Sequence, residues 1–223
     1  MATAAGRLAI ATACATLLLL ASLHVLSPEL DPSWRMVSEY ANGQHGWVLS
    51  LMFSAWALSS WALAIALRSL AVTKAAKVGL VFLCLAGIGE AMASIFDIKH
   101  SLHSVAALIG IPSLPVAAML ISASVARTRE RSGAKSPLLW TANLTWVSFV
   151  LMAVSFAIFI ATYKRAGGDM SAGTAITALP PGVIAWIGWA NRFLIFCYCV
   201  WVITVAWQAL QRRSQSSRTA TAG

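Results

Sequence analysis

Six apolar stretches, at residues 8–26, 47–67, 78–96, 102–126, 138–163 and 183–210, leave few folds open to this chain. A helix needs roughly 20 apolar residues to cross about 30 Å of hydrocarbon, and every stretch meets or approaches that length. Strands of a membrane barrel alternate apolar and polar residues over about ten positions, whereas these stretches are apolar all round. Composition agrees. Of 223 residues 59% are hydrophobic and 10% charged, against about 25% charged in a soluble domain. The expected fold is all-α: a polytopic membrane protein built as one bundle of six transmembrane helices within residues 1–210. A basic, disordered cytoplasmic tail is expected over 211–223. Arg7 ahead of the first run resembles a signal peptide. That run is 19 residues long, beyond the usual signal core of about 7–15, and no Ala-x-Ala site follows, so a retained helix is expected.

A net charge of +9 raises nucleic acid as a partner, but the placement of the charges argues for topology instead. With both termini cytoplasmic, Arg7, Arg68, Lys74, Lys77, Arg127, Arg129, Arg131, Lys135, Arg212, Arg213 and Arg218 fall inside. Only Arg35, Lys99, Lys164 and Arg165 fall outside, where Glu29, Asp31, Glu39, Asp97 and Asp169 also lie. This is the positive-inside bias of an inner-membrane protein, with attraction to membrane lipids as its corollary. No nucleic-acid motif accompanies it. Cys14, Cys84, Cys197 and Cys199 all fall in spans, away from the outer loops where a disulfide would be useful, and read as buried apolar thiols. Trp34, Trp47, Tyr163, Trp186 and Trp189 near one boundary, and Trp140, Trp201 and Trp207 near the other, read as an aromatic belt.

Two ionisable residues sit within spans, and neither has a topological explanation. Glu90 in span three and Arg192 in span six lie at similar depth in the outer half, at about 1.5 Å of rise per residue. Each left alone would cost roughly 2.5–3.5 kcal/mol near a helix centre. Pairing them, with Asn191 nearby, would offset that cost. Such a pair is either part of a polar pocket or proton path, or an ion pair fixing how the two spans dock.

Asp97-x-x-His100-x-x-His103 forms a second constellation, with ligand types suited to zinc. His24 and His45 are available as a fourth ligand, and haem ligation by His24 and His103 is the weaker variant. The solvated hairpin turn 97–101 is the plain alternative. Ser38, Glu39 and Tyr40, in the long outer loop 27–46, could close as a lid near His100 and His103. Alternatively Ser38 or Asn42 caps a short interfacial helix. Pro112 and Pro115 in span four each lack an amide donor and free the carbonyls of Leu108 and Ile111. Such interruptions are tolerated where neighbouring helices or water satisfy the freed groups, so the kink is a site of close packing.

The segments SEYANGQHGW (38–47), GIGEAMASIFD (87–97), LHSVAALIGIP (102–112) and GWANRF (188–193), taken in order, resemble the bacterial and archaeal membrane-protein family called domain of unknown function 998. The resemblance implies six membrane helices and carries no activity with it. A more distant similarity to transmembrane zinc hydrolases lacks their His-x-x-x-His pair in the last span. Three functions follow from the residues. One is binding of a lipid or small amphiphile in an outer-half pocket drawn from Ser38, Glu39, Tyr40, Glu90, Asp97, His103, Asn191 and Arg192. A second is metal-dependent hydrolysis with Asp97, His100 and His103 as ligands and Glu39 as the catalytic base. The third is proton-coupled transport through Glu90.

Overall fold

The computed structural model describes residues 1–127, 135–168 and 178–221. Six helices follow one another: α1 (Ala2–Leu26), α2 (Gly46–Leu67), α3 (Lys74–Ile95), α4 (Ser101–Arg127), α5 (Lys135–Arg165) and α6 (Ile187–Thr221). A short 3₁₀ helix, Val37–Asn42, lies between α1 and α2. All six long helices are long and apolar enough to cross a membrane, and the protein is a multi-pass membrane protein. Among the described residues there is no strand.

Each helix packs against its neighbours in sequence, and α1 closes the ring against α6. α2 and α6 also touch each other and are the most buried of the six. The outer faces of α1, α3 and α5 carry exposed Leu18, Val81, Val150 and Val154. In water such a surface would drive aggregation; in a bilayer it is the face that meets lipid.

Local chemistry sets the helix ends. Thr73 caps α3 by accepting from Ala76 N at 3.1 Å. α3 stops at Phe96, and Asp97 Oδ1 takes the Lys99 N–H at 2.9 Å, turning the chain into α4. α3 and α4 meet at glycines: a Cβ on Gly89 would lie 2.5 Å from Gly110 Cα. α4 continues through Pro112 and Pro115. The carbonyl that Pro115 frees, Ile111 O, accepts from the Tyr198 hydroxyl of α6 at 2.7 Å.

Several expectations need correction. α6 extends to Thr221, across residues 211–221 of the expected tail. Arg213 there reaches Ser69 Oγ at 2.8 Å. Residues 222 and 223 lie outside the described residues, as do Arg129, Glu130 and Arg131 of one loop and Asp169 of another. Trp201 is fully buried and donates to Ser122 Oγ, so it belongs to the core and not to the belt. All four cysteines are free; Cys197 and Cys199 are buried, but Cys14 and Cys84 face outward.

Candidate functional site

The loop 27–45 folds down onto the N-terminal end of α6, and Arg192 is the post it is tied to. Arg192 Nε donates to His24 Nε2 at 2.7 Å, and Nη1 donates to Arg35 O at 2.7 Å and to Gly188 O at 3.0 Å. Nη2 donates to the Tyr40 hydroxyl at 3.0 Å. A guanidinium has only donors, so His24 Nε2 is the acceptor, and Nδ1 carries the proton it gives to Leu20 O at 2.8 Å. Neighbouring Asn191 takes the Val37 N–H on Oδ1 at 2.9 Å. Gly188 N donates to Ser33 O at 3.0 Å. Ser33, Arg35, Val37 and Tyr40 are thereby fixed to Gly188, Asn191 and Arg192, on the first turns of one helix. Within the loop, Glu39 pairs with Arg35 at 2.7 Å and its other oxygen accepts from Met36 N at 2.8 Å.

Glu90 is placed differently. Its Oε2 accepts from Ser60 Oγ of α2 at 2.8 Å. Its Oε1 has no hydrogen-bond partner among the described residues. Glu90 and Arg192 are both 6% exposed, yet they do not pair: among the described residues Arg35–Glu39 is the one ion pair. The expected Glu90–Arg192 bridge is therefore corrected. Similar depth does not bring two side chains to the same side of a bundle, and each has found polar partners of its own.

A cavity of about 80 Å³ opens beside Glu90, between α2, α3, α4, α6 and the 3₁₀ helix. Phe53, Ile111, Leu194 and Ile195 make much of its wall apolar. Four polar groups reach its lining with capacity to spare. They are Glu90, Ser38, His103 and the indole of Trp56, whose buried Nε1 has no partner among the described residues. His103 Nδ1 is held by Phe96 O at 2.9 Å, which leaves Nε2 uncommitted. Among the described residues no Lys or Arg side chain lines this cavity.

The sequence candidates therefore divide into groups. Ser38, Glu90, His103 and Asn191 share the cavity lining. Tyr40 and Arg192 stand together in the loop clamp, and Glu39 is taken up by Arg35. Asp97 and His100 are exposed in the turn. The metal set expected from Asp97, His100 and His103 is not assembled, because α4 begins only at Ser101 and the motif straddles the turn. Asp97 Oδ1 holds Lys99 N, His100 Nδ1 accepts from Leu102 N, and His103 is tied to Phe96 O. Among the described residues no three His, Cys, Asp or Glu side chains are grouped to hold a metal. Both ring nitrogens of His24 are spent, so it has no lone pair to give zinc or haem iron. Ser38 does not cap the interfacial helix; Met36 occupies that position.

Sequence reasoning passed over Trp56, Ser60 and Tyr198. Signals for two of them were present. Ser59-Ser60 is a polar pair within an apolar span, and a freed carbonyl at Ile111 requires a donor such as Tyr198. The family model described as Protein of unknown function (DUF998) matches residues 9–208. No curated protein and no solved structure gives a significant match to the chain.

Proposed function

The chain belongs to that family, Protein of unknown function (DUF998), whose description assigns no activity, and from the site we propose that this multi-pass membrane protein binds a small amphiphile. The amphiphile's uncharged, hydroxyl-bearing head enters the cavity beside Glu90. The observation that carries the reading is that Trp56 lines the same cavity as Glu90 while its buried indole N–H is unpartnered among the described residues. A buried donor left unsatisfied costs about 1–3 kcal/mol, and a ligand hydroxyl would accept from it while donating to the carboxyl group. That no Lys or Arg among the described residues lines the cavity disfavours phosphate or carboxylate heads. A mainly apolar pocket with a few convergent polar groups is the usual form of a small-molecule site. At about 80 Å³ the space is several times the roughly 10–15 Å³ one water requires. It suits a head group and the first carbons of a chain, not a whole lipid.

The positive-inside bias supports a reading in which the end holding the 3₁₀ helix and this cavity faces the outer side of a bacterial inner membrane, with both termini cytoplasmic. The hydrolase reading is not carried forward, because its three ligands are held apart by the turn.

Thermal unfolding of the protein in nanodiscs with added decanol, decanoate or decyl phosphate tests the proposal. A ligand near one hundred times its Kd stabilises by about 2.7 kcal/mol. Decanol is therefore expected to raise the apparent Tm by several degrees and the two anions to do little. Trp56→Phe, which keeps the ring and removes the donor, should abolish the response. Equal shifts from all three compounds, or an undiminished decanol response in Trp56→Phe, would falsify the assignment.

A further inference from the structure

The opposite end of the bundle holds a second, larger opening that owes nothing to the cavity just described. It is a groove of about 690 Å³ between the first turns of α1 and the last turns of α6. Its walls include Arg7 and Arg213, with Trp207 beside them and Ile10 and Leu210 as apolar floor. At this end of the bundle α1 and α6 approach closely where Gly6 sits against Leu210: a Cβ there would lie 3.1 Å from Leu210 Cδ2. We propose that this groove is a binding site for one anionic phospholipid of the basic-side leaflet, its phosphate held between Arg7 and Arg213 and an acyl chain lying along Ile10 and Leu210.

The two arginines are differently prepared. Arg213 Nη2 is fixed by Ser69 Oγ at 2.8 Å and by Ala66 O at 3.3 Å, which aligns its guanidinium. Arg7 is exposed and makes no hydrogen bond or ion pair with any described residue. Charge complementarity leaves one class of occupant. This end of the bundle carries Arg7, Arg68, Lys74, Lys77, Arg127, Arg212 and Arg213, and among the described residues it carries no Asp or Glu. An anion therefore has cations to meet, and no carboxylate among the described residues of this end to repel it. The groove lies where membrane and water meet, since Trp207 is 57% exposed and indoles gather at the headgroup level. Arginine forks match phosphate geometry in pairs of hydrogen bonds. The size of the groove lies within the roughly 300–1,000 Å³ of ligand clefts.

Native mass spectrometry of the full chain with equal phosphatidylglycerol and phosphatidylcholine reads the preference directly. A basic side chain near an anionic surface contributes about a five-fold preference. Arg7→Gln is expected to lower the phosphatidylglycerol-to-phosphatidylcholine adduct ratio by about that factor. Arg213→Gln should do the same, and Arg213→Lys should restore most of it. Arg68→Gln removes the same charge from the same end but outside the groove, and should leave the ratio nearly unchanged. Arg7 makes no contact the fold relies on, so its variant remains informative if Arg213→Gln folds poorly. An equal fall in Arg68→Gln would reduce the effect to the general field of the basic end and overturn the site. Displacement of the lipid adduct by inorganic phosphate would overturn the lipid as occupant.

Discussion

Arg192 and Glu90 are both buried ionisable residues at the same end of the bundle, and they are used in opposite ways. Every hydrogen bond Arg192 makes goes to a protein group, and those groups come from α1, α6 and the loop between α1 and α2. Glu90 accepts from one serine and turns its remaining capacity toward a cavity. A polar cluster that is fully satisfied rigidifies its surroundings, whereas a partly satisfied one has capacity left for a ligand. The difference separates a structural charge from a binding one more clearly than depth in the membrane does.

The largest effect expected from this contrast lies at the clamp. Arg192→Met leaves His24 Nε2, Arg35 O and the Tyr40 hydroxyl without their donor, at about 1–3 kcal/mol for each group that stays buried. Loss of most of the folded, monodisperse protein on size-exclusion chromatography is expected. Arg192→Lys should rescue little, because an ammonium cannot reproduce the planar fork that reaches four separate acceptors. If Arg192→Met accumulates like the unmodified chain, the loop is held by something other than this residue.

Next in size is the effect of removing both charges. Contacting partners couple, while sites that share no partner usually add within about 0.3–0.5 kcal/mol. A double-mutant cycle on Glu90→Ala and Arg192→Ala, read by unfolding in detergent, is expected to be additive to that tolerance. Strong coupling would restore the ion pair that the geometry separates. Glu90→Gln alone is expected to move stability by less than about 1 kcal/mol in either direction. The amide still accepts from Ser60 and lowers the cost of burying a charge. A large destabilisation would mean that the carboxylate holds the bundle together, and the contrast with Arg192 would collapse.

Much of the fold was legible because one physical rule governs it: twenty apolar residues have few ways to satisfy their backbone in lipid except as a helix. The alternating loops then order the helices, and the freed carbonyl at Ile111 announced its need for a donor. The pairing of Glu90 with Arg192 was misread for an equally physical reason. Rise per residue gives depth along a helix, but which faces meet depends on how six helices rotate and cross. Polar residues in the loop were equally hard to place. Nothing local in Tyr40 or in the carbonyl of Arg35 marks them as partners of a residue some 150 positions away. The 97–103 motif looked like a ligand set because its spacing assumes one helix, and Phe96 ends that helix just before it begins.

The smallest effect belongs to a charge that is neither clamped nor facing a cavity. Asp31 stands in the loop near the clamp, and its Oδ1 accepts from Ser33 N at 2.8 Å. That hydrogen bond from the Ser33 N–H holds its carboxyl below the usual carboxylate range. A carboxyl whose pKa is lower in the folded chain stabilises it above the unfolded pKa, near 3.8. That contribution disappears as pH falls through the folded value, so it should be absent only in acid. Asp31→Asn keeps the accepting oxygen and removes the charge. Exposed substitutions usually stay within about 0.5 kcal/mol, which for a chain of this size is about 1–2 °C. The apparent Tm at neutral pH is expected to change by no more than that, and the two proteins should converge in acid, once pH has fallen through the lowered folded pKa of Asp31. A neutral-pH loss as large as that of Arg192→Met would show that the carboxylate's field, rather than its hydrogen bond, secures the loop. A buried guanidinium would then not be the only post to which the loop is tied.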